Sequence, residues 1–170
     1  MLSGGDRRSI GRANKVVALV KEQPERFTEL VRCLWSNHPI IRMRAADAAE
    51  KVSAVCPDSL APFKSELLGL LVETDQQELR WHLAQVIPRL PLNASERRRA
   101  TAALRSFLSD GSSIVRTFAM QALADLAGPD ARFRSEAAAL IEELVRTGTR
   151  AVRARGRHLL KELRRRPNQR

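Results

Sequence analysis

The stretch 113–127, SIVRTFAMQALADLA, decides the fold. Val115 precedes Arg116, and Ala119, Ala122, Leu123 and Leu126 follow at offsets of three, six, seven and ten from that arginine. With Val115 at minus one, these positions share one face of a 3.6-residue helix. The pattern returns as Ile41-Arg42 with Ala45, Ala48, Ala49 and Val52, and as Leu79-Arg80 with Leu83, Val86, Ile87 and Leu90. It ends as Val152-Arg153 with Gly156, Leu159, Leu160 and Leu163. The arginines stand 38, 36 and 37 residues apart, and a fixed period in this range marks a stack of helical pairs. The small residues in the stripe let neighbouring helices approach closely.

A second register runs ahead of each arginine. Leu30, Leu68, Leu104 and Ile141 lie twelve residues before it; Cys33, Leu71, Phe107 and Leu144 nine before; Leu34, Val72, Leu108 and Val145 eight before. Polar turns separate the two helices of a pair: 36–39, 74–76, 109–112 and 147–149. Pro39 suits a first helical turn, and Asn93 with Glu96 reads as a capping box. Pro88 should end its helix near Val86. The expected helices are 8–22, 25–35, 40–55, 59–73, 77–90, 94–109, 113–127, 131–146 and 150–165. The first carries Ala13, Val16, Val17 and Val20 in register, with Ile10 where the arginine would stand, and reads as an N-terminal capping half-repeat.

The hydrophobic–Arg pair, the small and apolar residues after it and the polar turn before it resemble the second helix of a HEAT repeat. The resemblance covers residues 25 to 165, although the turn Asp common in such repeats is matched only by Asp110. It implies an all-α fold: a right-handed α-solenoid of about four HEAT-like hairpins, with repeats at about 25–57, 58–92, 93–129 and 130–166 in a single domain. It further implies that Arg42, Arg80, Arg116 and Arg153 form a structural ladder, bonding turn groups of their own or the next repeat. Partners would dock on the surface lined by the second helices.

Composition agrees with an all-α chain: aromatics are 4% and Tyr is absent. The longest conspicuous apolar run, Leu67 to Val72, is too short to span a bilayer. Residues 1–12 lack the apolar core of a signal peptide, so a cytoplasmic protein is expected; a monomer is expected as well. Cys33 lies in a core register and Cys56 at a helix end, which is no disulfide framework. His38, His82 and His158 fall in different repeats without metal-ligand spacing, so no metal or cofactor is expected. Some HEAT-like proteins are DNA glycosylases or bilin lyases. Here four residues past Trp81 stands Gln85 rather than an acid, and the expectation is that the chain is not an enzyme.

The net charge of +11 is unevenly placed. Residues 1–92 hold 13 basic and 11 acidic side chains, residues 93–145 hold 7 and 7, and residues 146–170 hold 10 and 1. Offsets two, five and nine of the second helices are mixed in charge, unlike a groove for a duplex. The first expectation is therefore a non-catalytic protein-interaction scaffold. It would bind a protein or peptide partner through Arg44, Lys51, Trp81, His82 and Arg89. The alternative is nucleic-acid binding through Arg150, Arg157, Lys161, Arg164, Arg165 and Arg166, on a last helix whose plus four, eight and eleven positions change from Met120, Ala124 and Ala127 to cations. A polar end cap would explain the polarity of that helix but not the sign of its charge.

Overall fold

In the computed structural model, which describes residue 2, residues 11–128 and residues 130–165, the chain is all-helical, with no strand among the described residues. The nine α-helices there are α1 (Ala13–Glu22), α2 (Phe27–Arg32), α3 (Pro39–Val55), α4 (Lys64–Glu73), α5 (Gln77–Val86), α6 (Ala94–Ser106), α7 (Ser113–Ala127), α8 (Ala131–Thr147) and α9 (Arg150–Arg165). Short 3₁₀ segments extend α2, α5 and α6 at their C-terminal ends, and 3₁₀ turns at 24–26 and 57–63 lead into α2 and α4.

Local chemistry sets the ends. Pro39 is the first residue of α3. The Asn93 side chain accepts from the Glu96 amide at 2.9 Å, while the Asn93 amide donates to the Glu96 carboxylate at 2.8 Å, completing the capping box. α5 stops at Val86 and tightens into a 3₁₀ turn that takes up Pro88. Gly128 closes α7 at φ +50, a conformation that favours glycine. The expected start of the first helix at residue 8 is corrected: Gly11 turns at φ +55 and α1 begins at Ala13, while residues 8–10, including Ile10, lie outside the described residues.

Two compact units divide the chain, Met1–Pro91 and Leu92–Arg170. In the first, α3 packs against α1, α2 and α5, and α4 pairs with α5. In the second, α7 packs against α6, α8 and α9, and α8 lies along α9. Second helices thus sit beside second helices within each unit. The apolar offsets from minus one to plus ten of the second helices are buried throughout, apart from the half-buried Ile41 and Leu160. Fully enclosed side chains such as Leu79, Ile87, Leu104, Ile141 and Leu159 contribute about 1.5–3 kcal/mol each. Gly156 lets α9 approach α8 closely: a Cβ there would stand 2.5 Å from a methyl of Val145.

The register before the arginine holds less evenly. Leu34 and Leu108, eight residues before it, are buried, but Val145 is half-buried and Val72 is 62% exposed. The helix ends explain the split. Leu34 and Leu108 lie in 3₁₀ turns, whereas α4 and α8 stay α-helical to their last residue. Three residues per turn rather than 3.6 bring this position round to the core; without that overwinding it faces outward, and Leu70 is buried in α4 instead.

Candidate functional site

The second-helix face of the first unit is built from α3 and α5. Asp47, Lys51, Trp81, His82 and Arg89 lie there half-buried, each already in contact with neighbours. The Lys51 ammonium donates to Asp47 at 2.8 Å and to Asn14 of α1 at 3.0 Å. Arg89 donates to the Glu50 carbonyl at 2.7 Å, the Ser53 hydroxyl at 2.8 Å and the Glu50 carboxylate at 2.6 Å. It therefore clamps the C-terminal half of α3 to the turn after α5. The Trp81 ring meets the His82 ring at 5.5 Å. Burial lowers the His82 pKa below the ordinary histidine value against the opposing pull of Asp47, Glu50 and Glu78; Lys51 adds to the lowering. Its Nδ1 is buried without a hydrogen-bond partner among the described residues.

Arg44 corrects the expectation of an exposed, partner-facing cation. It is 1% exposed, and its guanidinium donates to the Leu2 carbonyl at 2.8 Å. A Cβ on Gly11 would stand 2.8 Å from that guanidinium, so glycine is what lets the backbone pass so near. Leu2 and Gly11 thus meet a helix position that periodicity alone leaves open.

The four zero-position arginines divide. Arg42 donates to the Ser36 carbonyl of its own turn at 2.8 Å and to the Gln76 side chain, ahead of the next second helix, at 2.7 Å. Gln76 in turn donates to the Pro39 carbonyl at 3.0 Å. Arg80 donates to the Thr74 carbonyl at 3.0 Å, again six residues back. Arg116 keeps a buried Nε without a partner among the described residues. Arg153 is exposed and its side chain makes no hydrogen bond among the described residues, so it departs from the expected ladder. The cause is turn length. Three residues separate the paired helices at 36–38, 74–76 and 110–112, but only Gly148 and Thr149 separate α8 from α9. The residue six back from Arg153, Thr147, is therefore still helical. Gly148 is required by this tight turn, because a Cβ there would stand 2.5 Å from the Leu144 carbonyl oxygen.

α9 is the most strongly two-sided element. Val152, Gly156, Leu159 and Leu163 are buried on one side. Arg150, Arg153, Arg157, Lys161 and Arg165 are exposed on the other, without an acid partner among the described residues. At about 100° per residue these five fall within an arc of roughly 120°. Arg164 shares the arc and meets Glu142 at 3.4 Å in an exposed pair that restrains it little. Arg155 turns aside to the Gln121 side chain, His158 meets Glu162 at 3.0 Å, and Arg166 lies outside the described residues. At the matching offsets in α7, Met120, Ala124 and Ala127 are buried.

Two of the cavities among the described residues open in the first unit. One, of about 320 Å³, is lined by Val16, Leu19, Leu30, Cys33 and Ile41, with the Arg26–Glu29 pair on its wall. Burial raises the Cys33 pKa, and its thiol donates to the Glu29 carbonyl at 3.3 Å. The other, of about 250 Å³, is bordered by Trp35, Glu73 and Asp75. Trp35, at its edge, is 44% exposed. Among the described residues no three His, Cys, Asp or Glu side chains are grouped so as to hold a metal ion, and no helix is long and apolar enough to cross a membrane. No protein family matches this sequence, and no curated protein matches it.

Proposed function

We propose that the chain is a HEAT-like α-solenoid, a right-handed stack of four hairpins and an N-terminal half-repeat, that binds the phosphate backbone of a nucleic acid through α9. One observation carries this reading: Arg150, Arg153, Arg157, Lys161 and Arg165 form a single exposed row with no acid to neutralise it among the described residues. The row is about 22 Å long at 1.5 Å per residue. Duplex DNA offers one negative charge per about 1.7 Å along its axis, so several phosphates fall within reach of such a row. Solubility alone would be served equally by glutamate; a row of one sign serves attraction. The apolar side of α9 is committed to the core, which leaves it no face to insert among lipids.

The second-helix face is the weaker candidate because Arg44, Lys51 and Arg89 already have internal acceptors. We read the protein as a monomeric binding protein of the cytoplasm rather than a catalyst, and the free thiols of Cys33 and Cys56 fit a reducing compartment. Fluorescence anisotropy of labelled duplex DNA and RNA at physiological salt tests the proposal. Micromolar or tighter binding, lost when the five cations are changed to Gln, is expected. Binding confined to very low salt, or retained by that variant, overturns it.

A further inference from the structure

The cavity bordered by Trp35, Glu73 and Asp75 lies at the turn edge of the first unit, between the end of α2 and the end of α4, and reaches Arg42 and Leu79 in the first turns of α3 and α5. Three observations meet there. Trp35 presents a large aromatic surface to solvent at 44% exposure. Glu73 and Asp75 are exposed, and neither carboxylate has a hydrogen-bond or ion-pair partner among the described residues. Arg42, also on the wall, spends its donors on two neutral acceptors, the Ser36 carbonyl and the Gln76 side chain. Two carboxylates and one guanidinium leave the lining with a formal charge of −1, which a single incoming cation balances.

We propose that this groove receives an arginine side chain from a peptide segment of a partner protein. An indole and two free carboxylates on the wall of one groove suit a planar guanidinium, which stacks on aromatic rings and donates in pairs to carboxylate oxygens. An ammonium uses the same charge less well, because it is a compact, strongly hydrated point. A phosphate is repelled by Glu73 and Asp75, so this surface is opposite in sign to α9 and belongs to the other unit of the chain. It holds whether or not α9 binds nucleic acid.

The test is a two-dimensional NMR titration of the full chain with an end-blocked Gly-Arg-Gly-Arg-Gly peptide, with the Trp35 indole N–H assigned through Trp35→Phe. Matched peptides carry Lys or citrulline in place of Arg, citrulline keeping the shape without the charge. A saturable shift of the Trp35 resonance is expected, about tenfold weaker with citrulline and in the Glu73→Gln/Asp75→Asn variant. The shift should be unchanged in Glu25→Gln/Glu66→Gln, which removes two other exposed acids of the same unit. All these positions are exposed, so an unchanged melting temperature certifies each variant as folded. A Trp35 resonance that does not move, or equal affinity for the arginine and citrulline peptides, overturns the proposal. Self-association of the peptide-free chain in sedimentation that Glu73→Gln/Asp75→Asn abolishes also overturns it, because the occupant is then a second copy.

Discussion

Changing Arg153, Arg157 and Lys161 to Gln should flatten the salt dependence of nucleic-acid binding by a calculable amount. The five unpaired cations of α9 are on one exposed arc, so each can neutralise one phosphate. On duplex DNA the logarithm of the binding constant falls with the logarithm of salt with a slope of about −0.9 per phosphate neutralised. Five contacts give a slope of about −4.5, so affinity drops about 500-fold between 50 and 200 mM salt. Removing three leaves a slope of about −1.8 and a drop of about 12-fold over the same range. The assay is anisotropy of a labelled duplex at four or more salt concentrations, with circular dichroism as a check on folding. Stability should stay within about 0.5 kcal/mol, because all three side chains are exposed and none has a hydrogen-bond partner among the described residues. A slope that remains the same after all three charges are gone refutes the idea that this row faces phosphate. So does a parental slope near zero.

Four further outcomes test the framework. Arg42→Lys should cost about 1–2 kcal/mol in chemical denaturation, since a lysine cannot reach both the Ser36 carbonyl and Gln76 in fork geometry, whereas Arg153→Lys should be close to neutral; equal costs would remove the distinction drawn from turn length. Arg89→Ala should cost about 2 kcal/mol by stripping three hydrogen bonds from the end of α3, read from urea midpoints. Gly148→Ala should destabilise by about 1–3 kcal/mol because its Cβ meets a backbone oxygen, while Gly69→Ala, with open space around it inside α4, should stabilise by about 0.5–1 kcal/mol. Because the folded His82 pKa lies below its unfolded value near 6.5, the unfolded chain takes up the proton first as pH falls. The stability His82 confers is therefore present above about pH 6.5 and declines below it until the folded pKa is passed, and a denaturation series from pH 7.5 to 5 should show the decline shrink in His82→Gln.

What could be read from the chain depended on how local its cause was. The stripe after each arginine needs only helical spacing, and Ala45, Leu83, Ala119 and Gly156 are all buried as that spacing requires. The cationic row of α9 was legible from residue type in register: plus four, eight and eleven carry charge there, whereas Met120, Ala124 and Ala127 are buried at the same offsets in α7. Val72 was misread because its direction depends on whether the helix end overwinds into a 3₁₀ turn, which a 3.6-residue template does not represent. Arg44 was misread because what buries it is Leu2, 42 residues away, and no periodicity reaches that far. Arg153 lies between these cases. Thr147-Gly148-Thr149 resembles the other polar turns in composition, yet Thr147 still belongs to α8, and losing one turn residue changes what stands six back from the arginine. That one-residue difference frees a side chain at the same register where Arg42 and Arg80 are tied to their turns, and it adds a cation to the row where the proposed site lies.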